Sequence, residues 1–351
     1  MSVKKHSNTS RSASYTTKRK KRKNIIILSI LIPILVIVLG LAVYAAILYA
    51  TAQKTIDDSY HELNRNKEID VDPIKETTSI LIMGIDDTED RNLGSSRTDS
   101  LIYLTIDPNS HEVNMVSIPR DTYTPIMYQE EYLGEDKINA AYSAGEEQAT
   151  IETVEELLNV PIHYYVTFNF DAFLKIIDAL GGIEMDVPIT FSEQNSDGKM
   201  DQITLEKGYQ TLNGEEALAL ARTRKIDNDV MRGERQQLLI QAIVEKALSV
   251  GSITKYTNVI EAVGSNMRTD LTFNEMLGIA QTGLEGPYKF NSYTFEWTDF
   301  TLYGASMVEL YPDSVDFVSH RFRVALGLDS LDERDAEDYE FETNGITNYA
   351  Y

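Results

Sequence analysis

Residues 221–237 read ARTRKIDNDVMRGERQQ and set Arg222, Arg224, Arg232 and Arg235 within fourteen positions of a chain whose formal charge is −23. A solvated face of so acidic a chain should itself be acidic, so this stretch calls for an anionic partner. The pattern predicts helix, break, helix. LNGEEALALART ends near Arg222 and Arg224, and Asp229 is a good N-cap for a second helix running from about Val230 to Val250. Cations are welcome at the end of the first helix. In the first turn of the second, the dipole disfavours Arg232 and Arg235 by ~0.3–1 kcal/mol each. Arg232 and Gln236 lie one turn apart and project from one face. Two helix ends joined by a few residues converge, and N-terminal amides attract the same anion as the guanidinium groups. A surface network with Asp227, Asp229 and Glu234 would account for the charges but not for their placement against the dipole. A pyrophosphate would account for both, because the guanidinium fork binds phosphate bidentately and keeps its charge.

A second group of charges falls at strand ends. SILIMGI (79–85), SLIYLTID (100–107) and EVNMVSI (112–118) read as three strands, the last two joined by the tight turn PNSH. Folding that hairpin about the Asn109–Ser110 bond sets Asp99 opposite Arg120, with Arg97 on the same side as Asp99. Asp86 closes the first strand, and the polar loop DTEDRNLGSS (87–96) returns the chain to Arg97. Asp86, Asp99, Arg97 and Arg120 therefore share one edge of the predicted sheet. Two carboxylates with room for water suit Mg²⁺, which takes one or two carboxylates plus phosphate oxygens. Ordinary ion pairs, Arg97 with Asp99 and Arg120 with Asp121, are the alternative for either pair alone.

The elements that must hold these residues alternate. QATIETVEELLN (148–159) predicts an amphipathic helix, and HYYVTFNF (163–170) a strand. DAFLKIIDAL is a helix stopped by Gly181–Gly182, and IEMDVP a short strand. From 250 to about 326 the pattern predicts two or three more helices and one or two short strands. Such alternation implies an α/β domain with helices on both faces of the sheet.

The charge is unevenly spread. Residues 1–23 carry nine Lys and Arg and no acid, leaving 23 basic against 55 acidic groups downstream, −32. Asn24 to Ala50 has no charged side chain, and a hydrocarbon core needs ~20 apolar residues of helix. The basic cluster at 18–23 abuts the N-terminal end of this segment and fixes that side in the cytoplasm. A cleaved signal peptide ending near Tyr49–Ala52 is the competing reading, but signal hydrophobic regions run ~7–15 residues. A nucleic-acid role for the basic tail is set aside for the same topological reason. The sequence thus predicts a cytoplasmic tail (1–23), one transmembrane anchor (24–50), an extracellular stalk (51–78), a catalytic domain (79–326) and an acidic flexible tail (327–351).

Cysteine is absent, which removes disulfides, thiolate nucleophiles and Cys-based zinc sites. The five histidines are scattered, and no HExxH, G-x-S-x-G, G-x-x-x-x-G-K-[ST] or G-x-G-x-x-G motif occurs. Any catalysis rests on carboxylates, arginines and a metal ion.

Blocks in order, ILIMGID, SSRTDS, VSIPRDTYTPI, KINAAYSAG, TVEELLNVPIHYYVTFNFDAF, DALGGIEMDVP, GYQTLNGEEALALARTR and DVMRGERQQ, resemble the LytR-CpsA-Psr family of bacterial cell-wall proteins over about residues 79–245. The resemblance implies an α/β/α sandwich with a central mixed sheet outside the membrane of a Gram-positive-type bacterium. It implies Mg²⁺-dependent transfer of a glycopolymer from undecaprenyl pyrophosphate onto peptidoglycan, releasing undecaprenyl phosphate. It also implies that Asp86 and Asp99 hold the metal and that Arg97, Arg120, Lys137, Arg222, Arg224, Arg232 and Gln236 contact the pyrophosphate. Arg235 and Asp229 fall within the same motif. Asp121 and Asp229 are the candidate general bases, and the sequence does not choose between them. The rival readings are a polyprenyl-pyrophosphate hydrolase and a non-catalytic wall-binding or regulatory protein.

Overall fold

The computed structural model describes residues 39, 43–63, 65, 71–85, 97–223, 229–249, 259 and 266–341. The chain divides into two units, 1–52 and 53–351. In the first, residues 43–52 are helical. Among the described residues no helix is long and apolar enough to cross a membrane; most of the predicted anchor, 24–38, lies outside them.

In the second unit the strands are β1 (Thr78–Ile85), β2 (Thr98–Asp107), β3 (Glu112–Ser117), β4 (Tyr123–Tyr128) and β5 (Glu131–Lys137). Helix α1 (Ala140–Leu158), β6 (Tyr164–Asn169), α2 (Phe170–Leu180), β7 (Ile183–Val187), β8 (Phe191–Glu193), β9 (Ile203–Leu205) and β10 (Gly208–Leu212) follow. Then come α3 (Gly214–Arg222), α4 (Asp229–Leu248), β11 (Met267–Thr269), α5 (Phe273–Glu285) and β12 (Lys289–Tyr293). The hairpin β13 (Trp297–Leu302) and β14 (Ala305–Leu310) precedes α6 (Pro312–Ala325). Beyond residue 250 the described residues hold four strands where one or two were predicted.

Six strands form one mixed sheet in the order β11-β6-β1-β2-β3-β12. β1–β2, β2–β3 and β6–β11 are antiparallel, and β1–β6 and β3–β12 parallel. The β2–β3 register is the predicted one, from Ile102 opposite Ser117 to Asp107 opposite Glu112. The turn fixes it: Asp107 accepts from Asn109 N at 2.8 Å and from Ser110 Oγ at 2.7 Å.

Strand alternation sorts the core into two faces. Leu81, Met83, Leu101, Tyr103 and Val116 pack under α1 and α6, through Ile151, Val154, Leu158, Val318 and Phe322. Ile80, Ile102, Leu104, Val113 and Met115 face Ile240 of α4 and Met276 and Ile279 of α5. The sheet thus has helices on both sides, as expected. A further apolar cluster joins α2, β7, β10, α3 and α4 through Phe173, Ile177, Ile183, Leu212, Leu218 and Leu239.

Two predicted segments make contacts that the sequence did not suggest. In the predicted stalk (51–78), the described residues His61 and Arg65 bond to the domain. His61 N donates to Thr269 O at 2.7 Å, Arg65 bonds Ile162 O at 2.7 Å and pairs with Asp270, and Tyr165 Oη bonds His61 O at 2.7 Å. Polarity hid this, because hydrogen bonds make most of the attachment, with Leu63 adding apolar packing on the core. Residues 327–341 likewise bond to the domain. Asp335 accepts from His320 Nε2 at 2.9 Å and Arg321 Nη1 at 2.8 Å, Asp329 pairs with Arg323 at 2.9 Å, and Arg334 reaches Asp316 at 2.6 Å. Phe341 packs on Phe317, centroids 5.0 Å apart. Three of the acids that read as a solvated tail, Asp329, Asp332 and Asp335, pair with α6 or with Arg334.

Candidate active site

A cavity of about 410 Å³ lies between the β1–β2 end of the sheet and helices α2, α3 and α4. Its apolar wall comes from Ile102, Phe168, Phe170, Phe173, Leu218, Ala221, Leu239 and Ile240. Its polar wall comes from Asp99, Ser100, Arg120, Arg222, Arg232 and Gln236, with Glu193 and Gln194 from β8 and its exit. Along α4 the wall changes from Arg232 through Gln236 to Leu239 and Ile240, so one helix carries both the charged and the apolar end.

Local sequence positions each group. The buried Asn139 and Ile138 hold the turn after β3: Asn139 N bonds Arg120 O at 3.2 Å and Ile138 N bonds Thr122 O at 2.7 Å. Arg120 Nη1 pairs with Asp99, the partner expected from the hairpin. Its Nε is buried without a hydrogen-bond partner among the described residues and lies 3.9 Å from Asp121. α3 starts with a capping box between Asn213 and Glu216, and Gly214 N donates to Asp178 of α2 at 2.8 Å. At its other end the Arg222 guanidinium lies over the Phe170 ring, 4.0 Å from the centroid, a cation–π contact that holds the charge at the wall. Gly233 lets the first turn of α4 approach β3: a Cβ there would sit 2.5 Å from Ser117 Oγ. Gln236 accepts from Ser100 Oγ at 2.8 Å and donates to Ala221 O at 3.3 Å, tying sheet, α3 and α4 together.

Arg120, Arg222, Arg232, Gln236 and Asp99, from distant parts of the chain, thus meet in one cavity. Arg97 precedes β2, is exposed and does not line the cavity. Lys137 lies outside the wall and pairs with Asp121 at 2.8 Å, each side chain about four-fifths buried. Asp86, Arg224 and the side chain of Asp229 lie outside the described residues.

Arg235 takes a different position from the one expected. It is 7% exposed and does not line the cavity. Its guanidinium donates to Leu220 O at 3.2 Å and Thr223 O at 2.6 Å. The dipole argument placed a cation against the start of α4, yet Arg235 serves the carbonyl end of α3, where cations are favoured. Glu193 and Gln194 went unforeseen. Glu193 ends a three-residue strand and Gln194 follows it, and the sequence there has no chemical motif.

An arginine-rimmed, largely apolar cavity at one end of a mixed α/β sheet has the chemistry to suit an anionic headgroup with a hydrocarbon tail. The chain belongs to the LytR_cpsA_psr family, which it matches over residues 46–322. It is 39% identical over 277 residues to the polyisoprenyl-teichoic acid–peptidoglycan teichoic acid transferase TagU of Bacillus subtilis (strain 168), covering 77% of this chain and 86% of that protein. It is also 39% identical over 270 residues to TagV of the same strain, covering 75% and 67%. Among solved structures it is similar to B. subtilis TagV, with a TM-score of 0.64 and 35% identity over 73% of this chain and 99% of that one. It is similar too to YwtF (TagT) with bound octaprenyl pyrophosphate lipid, with a TM-score of 0.58 and 28% identity over 75% and 95%.

Proposed function

We propose that this chain transfers a glycopolymer from undecaprenyl pyrophosphate to peptidoglycan. A sugar hydroxyl attacks the phosphorus bonded to the glycan, a new P–O ester forms, and the bridging P–O bond of the pyrophosphate breaks. Undecaprenyl phosphate leaves. The observation that carries this reading is the meeting of Arg120, Arg222 and Arg232, from three separate elements, in one cavity whose other wall is hydrocarbon. The relatives named as teichoic acid transferases and the neighbour holding octaprenyl pyrophosphate support it.

Phosphoryl transfer asks for positioning and charge neutralisation more than covalent chemistry. Arg120 lines the cavity with its side chain 27% exposed and offers its guanidinium to a phosphate oxygen. Arg222, fixed on Phe170, and Arg232 neutralise the charge that builds on the leaving phosphate. The apolar wall takes the first isoprenoid units. The hydroxyl proton passes to a carboxylate; of the two candidates, Asp121 stands beside Arg120, held by Lys137.

Mg²⁺ fits what is described of the site. Asp99 stands in the cavity wall, about one-third exposed, among cations able to hold phosphate oxygens, and Mg²⁺ binds through one or two carboxylates plus such oxygens. Asp99, and Asp86 by its motif, would hold the ion, which supplies further neutralisation of the pyrophosphate. In the same reading residues 24–50 span the membrane, residues 1–23 stay in the cytoplasm, and the domain faces the wall.

The test is product analysis. Full-length protein in nanodiscs, given a lipid-linked glycan and peptidoglycan fragments, should yield glycan covalently joined to the fragments and release lipid phosphate, both requiring Mg²⁺. Lipid phosphate released with the glycan left free would replace transfer by hydrolysis.

A further inference from the structure

Beside the cavity, the β4–β5 hairpin carries groups that the reaction scheme leaves unused. Thr122 and Thr124 are buried at 1% and 3% exposure, so alternation turns Asp121 and Tyr123 to the outer side. Tyr123 lies opposite Lys137, and Pro125 opposite Glu135, which puts Glu135 and Lys137 on that same side. The strip is knitted together: Lys137 Nζ donates to Asp121 at 2.8 Å, and Tyr123 Oη donates to Glu135 at 2.8 Å. The Tyr123 ring meets Phe300 of β13 edge-on, centroids 5.5 Å apart. The β13–β14 hairpin is fastened here by Val308 N donating to Asp121 O at 2.9 Å. A continuous path therefore leads from Arg120 in the cavity wall, through Asp121 and Lys137, which the reaction scheme already uses, to Tyr123, Glu135 and Phe300, which it does not.

We propose that this strip, Asp121, Tyr123, Glu135, Lys137 and Phe300, is the acceptor subsite, which holds a peptidoglycan glycan strand with one hydroxyl directed at the phosphorus. The proposal rests on the transfer reading above. Sugars present apolar C–H faces that stack on aromatic rings, and hydroxyl groups that bond to carboxylates and ammonium groups. The strip offers both in a row. In-line displacement requires the nucleophile opposite the leaving group. With the isoprenoid in the apolar cavity, the acceptor approaches from outside Arg120, where the strip lies. Charge disfavours the other polymer in the reaction. Lys137 offsets Asp121, so the exposed Glu135 leaves the strip with a net negative charge that disfavours a polymer carrying phosphates more than a sugar backbone.

The test separates acceptor from donor. Full-length protein in nanodiscs is titrated with a muramidase-released peptidoglycan tetrasaccharide, and KM is measured for that fragment and for the lipid-linked donor. Phe300→Ala should raise the Kd and KM of the tetrasaccharide about tenfold and leave the donor KM within about twofold. Phe300→Trp, which keeps a ring, should restore both. Glu135→Gln, at an exposed position, gives a second readout independent of hairpin packing and should also raise the acceptor KM. Unchanged acceptor constants in both variants, or an equal rise in donor KM, would overturn the assignment. Arg120→Ala serves as the control: lost transfer with unaltered tetrasaccharide binding keeps the transfer reading whatever the strip does, while retained transfer defeats that reading itself.

Discussion

Replacing Arg120 by alanine separates chemistry from folding. In the cavity wall its guanidinium would lie about 4 Å from a phosphate charge, and at an effective dielectric constant near 20 such a pair is worth about 4 kcal/mol. That energy converts to a loss of about 10³ in transfer rate. The effect on stability is far smaller. The Arg120–Asp99 pair is 27% and 31% exposed, and so open an ion pair contributes no more than about 1 kcal/mol. Transfer should therefore fall about a thousandfold while the melting temperature moves by only a few degrees. Arg120→Lys keeps the charge but not the fork and should fall between the two. The assay follows release of polyprenyl phosphate from a lipid-linked saccharide in the presence of peptidoglycan fragments, with thermal melts alongside. Arg120→Ala working within about tenfold of wild type, at unchanged Tm, would refute the electrostatic argument.

Gly233→Ala drives a methyl group into Ser117 and should push the start of α4 off the sheet, costing about 1–3 kcal/mol and lowering transfer through a displaced Arg232; melts and rate assays check it. Asp335→Ala removes the carboxylate that accepts from His320 Nε2 and Arg321 Nη1, leaving Arg321 without that bond and the buried His320 Nε2 with only the longer contact to Asp332 at 3.3 Å. Denaturant titration should show a loss of about 1–3 kcal/mol with transfer kinetics intact in the folded fraction. Burial pushes the Asp270 carboxyl up to about 6, against the pull of Arg65 and the Tyr165 N–H. A raised folded pKa means stability that is full below the ordinary value of 3.8 and lost as pH rises through about 6. The advantage of wild type over Asp270→Asn in thermal melts should then shrink between about pH 4 and 6, and a constant difference would disprove the shift.

The sheet was legible where local chemistry dictates it. Asp107, Asn109 and Ser110 make the β2–β3 turn, and that turn sets the register that brings Asp99 to Arg120. The β4–β5 hairpin escaped notice for the opposite reason. Its turn residues Gln129 and Glu130 both take positive φ, 53° and 62°, a conformation usually marked by Asn or Gly, and Pro125 sits inside the strand. A short helical segment beginning at Ala140 precedes the predicted helix of 148–159 and is separated from it by non-helical φ/ψ at Gly145 and Glu146. Arg222 and Arg232 were readable from helix ends alone. Arg235 was not, since the same spacing suits a phosphate or the carbonyls of the preceding helix, and only the packing of α3 on α4 decides. Glu193 reaches the cavity through tertiary structure that no short-range pattern encodes.

The bonds from Arg235 to the last carbonyls of α3 act as a clasp between two helices that both deliver charge. The spacing of Arg222 and Arg232 is thereby held from the side, by hydrogen bonds between α3 and α4. A substitution at Arg235 would change that spacing while leaving both cavity arginines themselves unaltered.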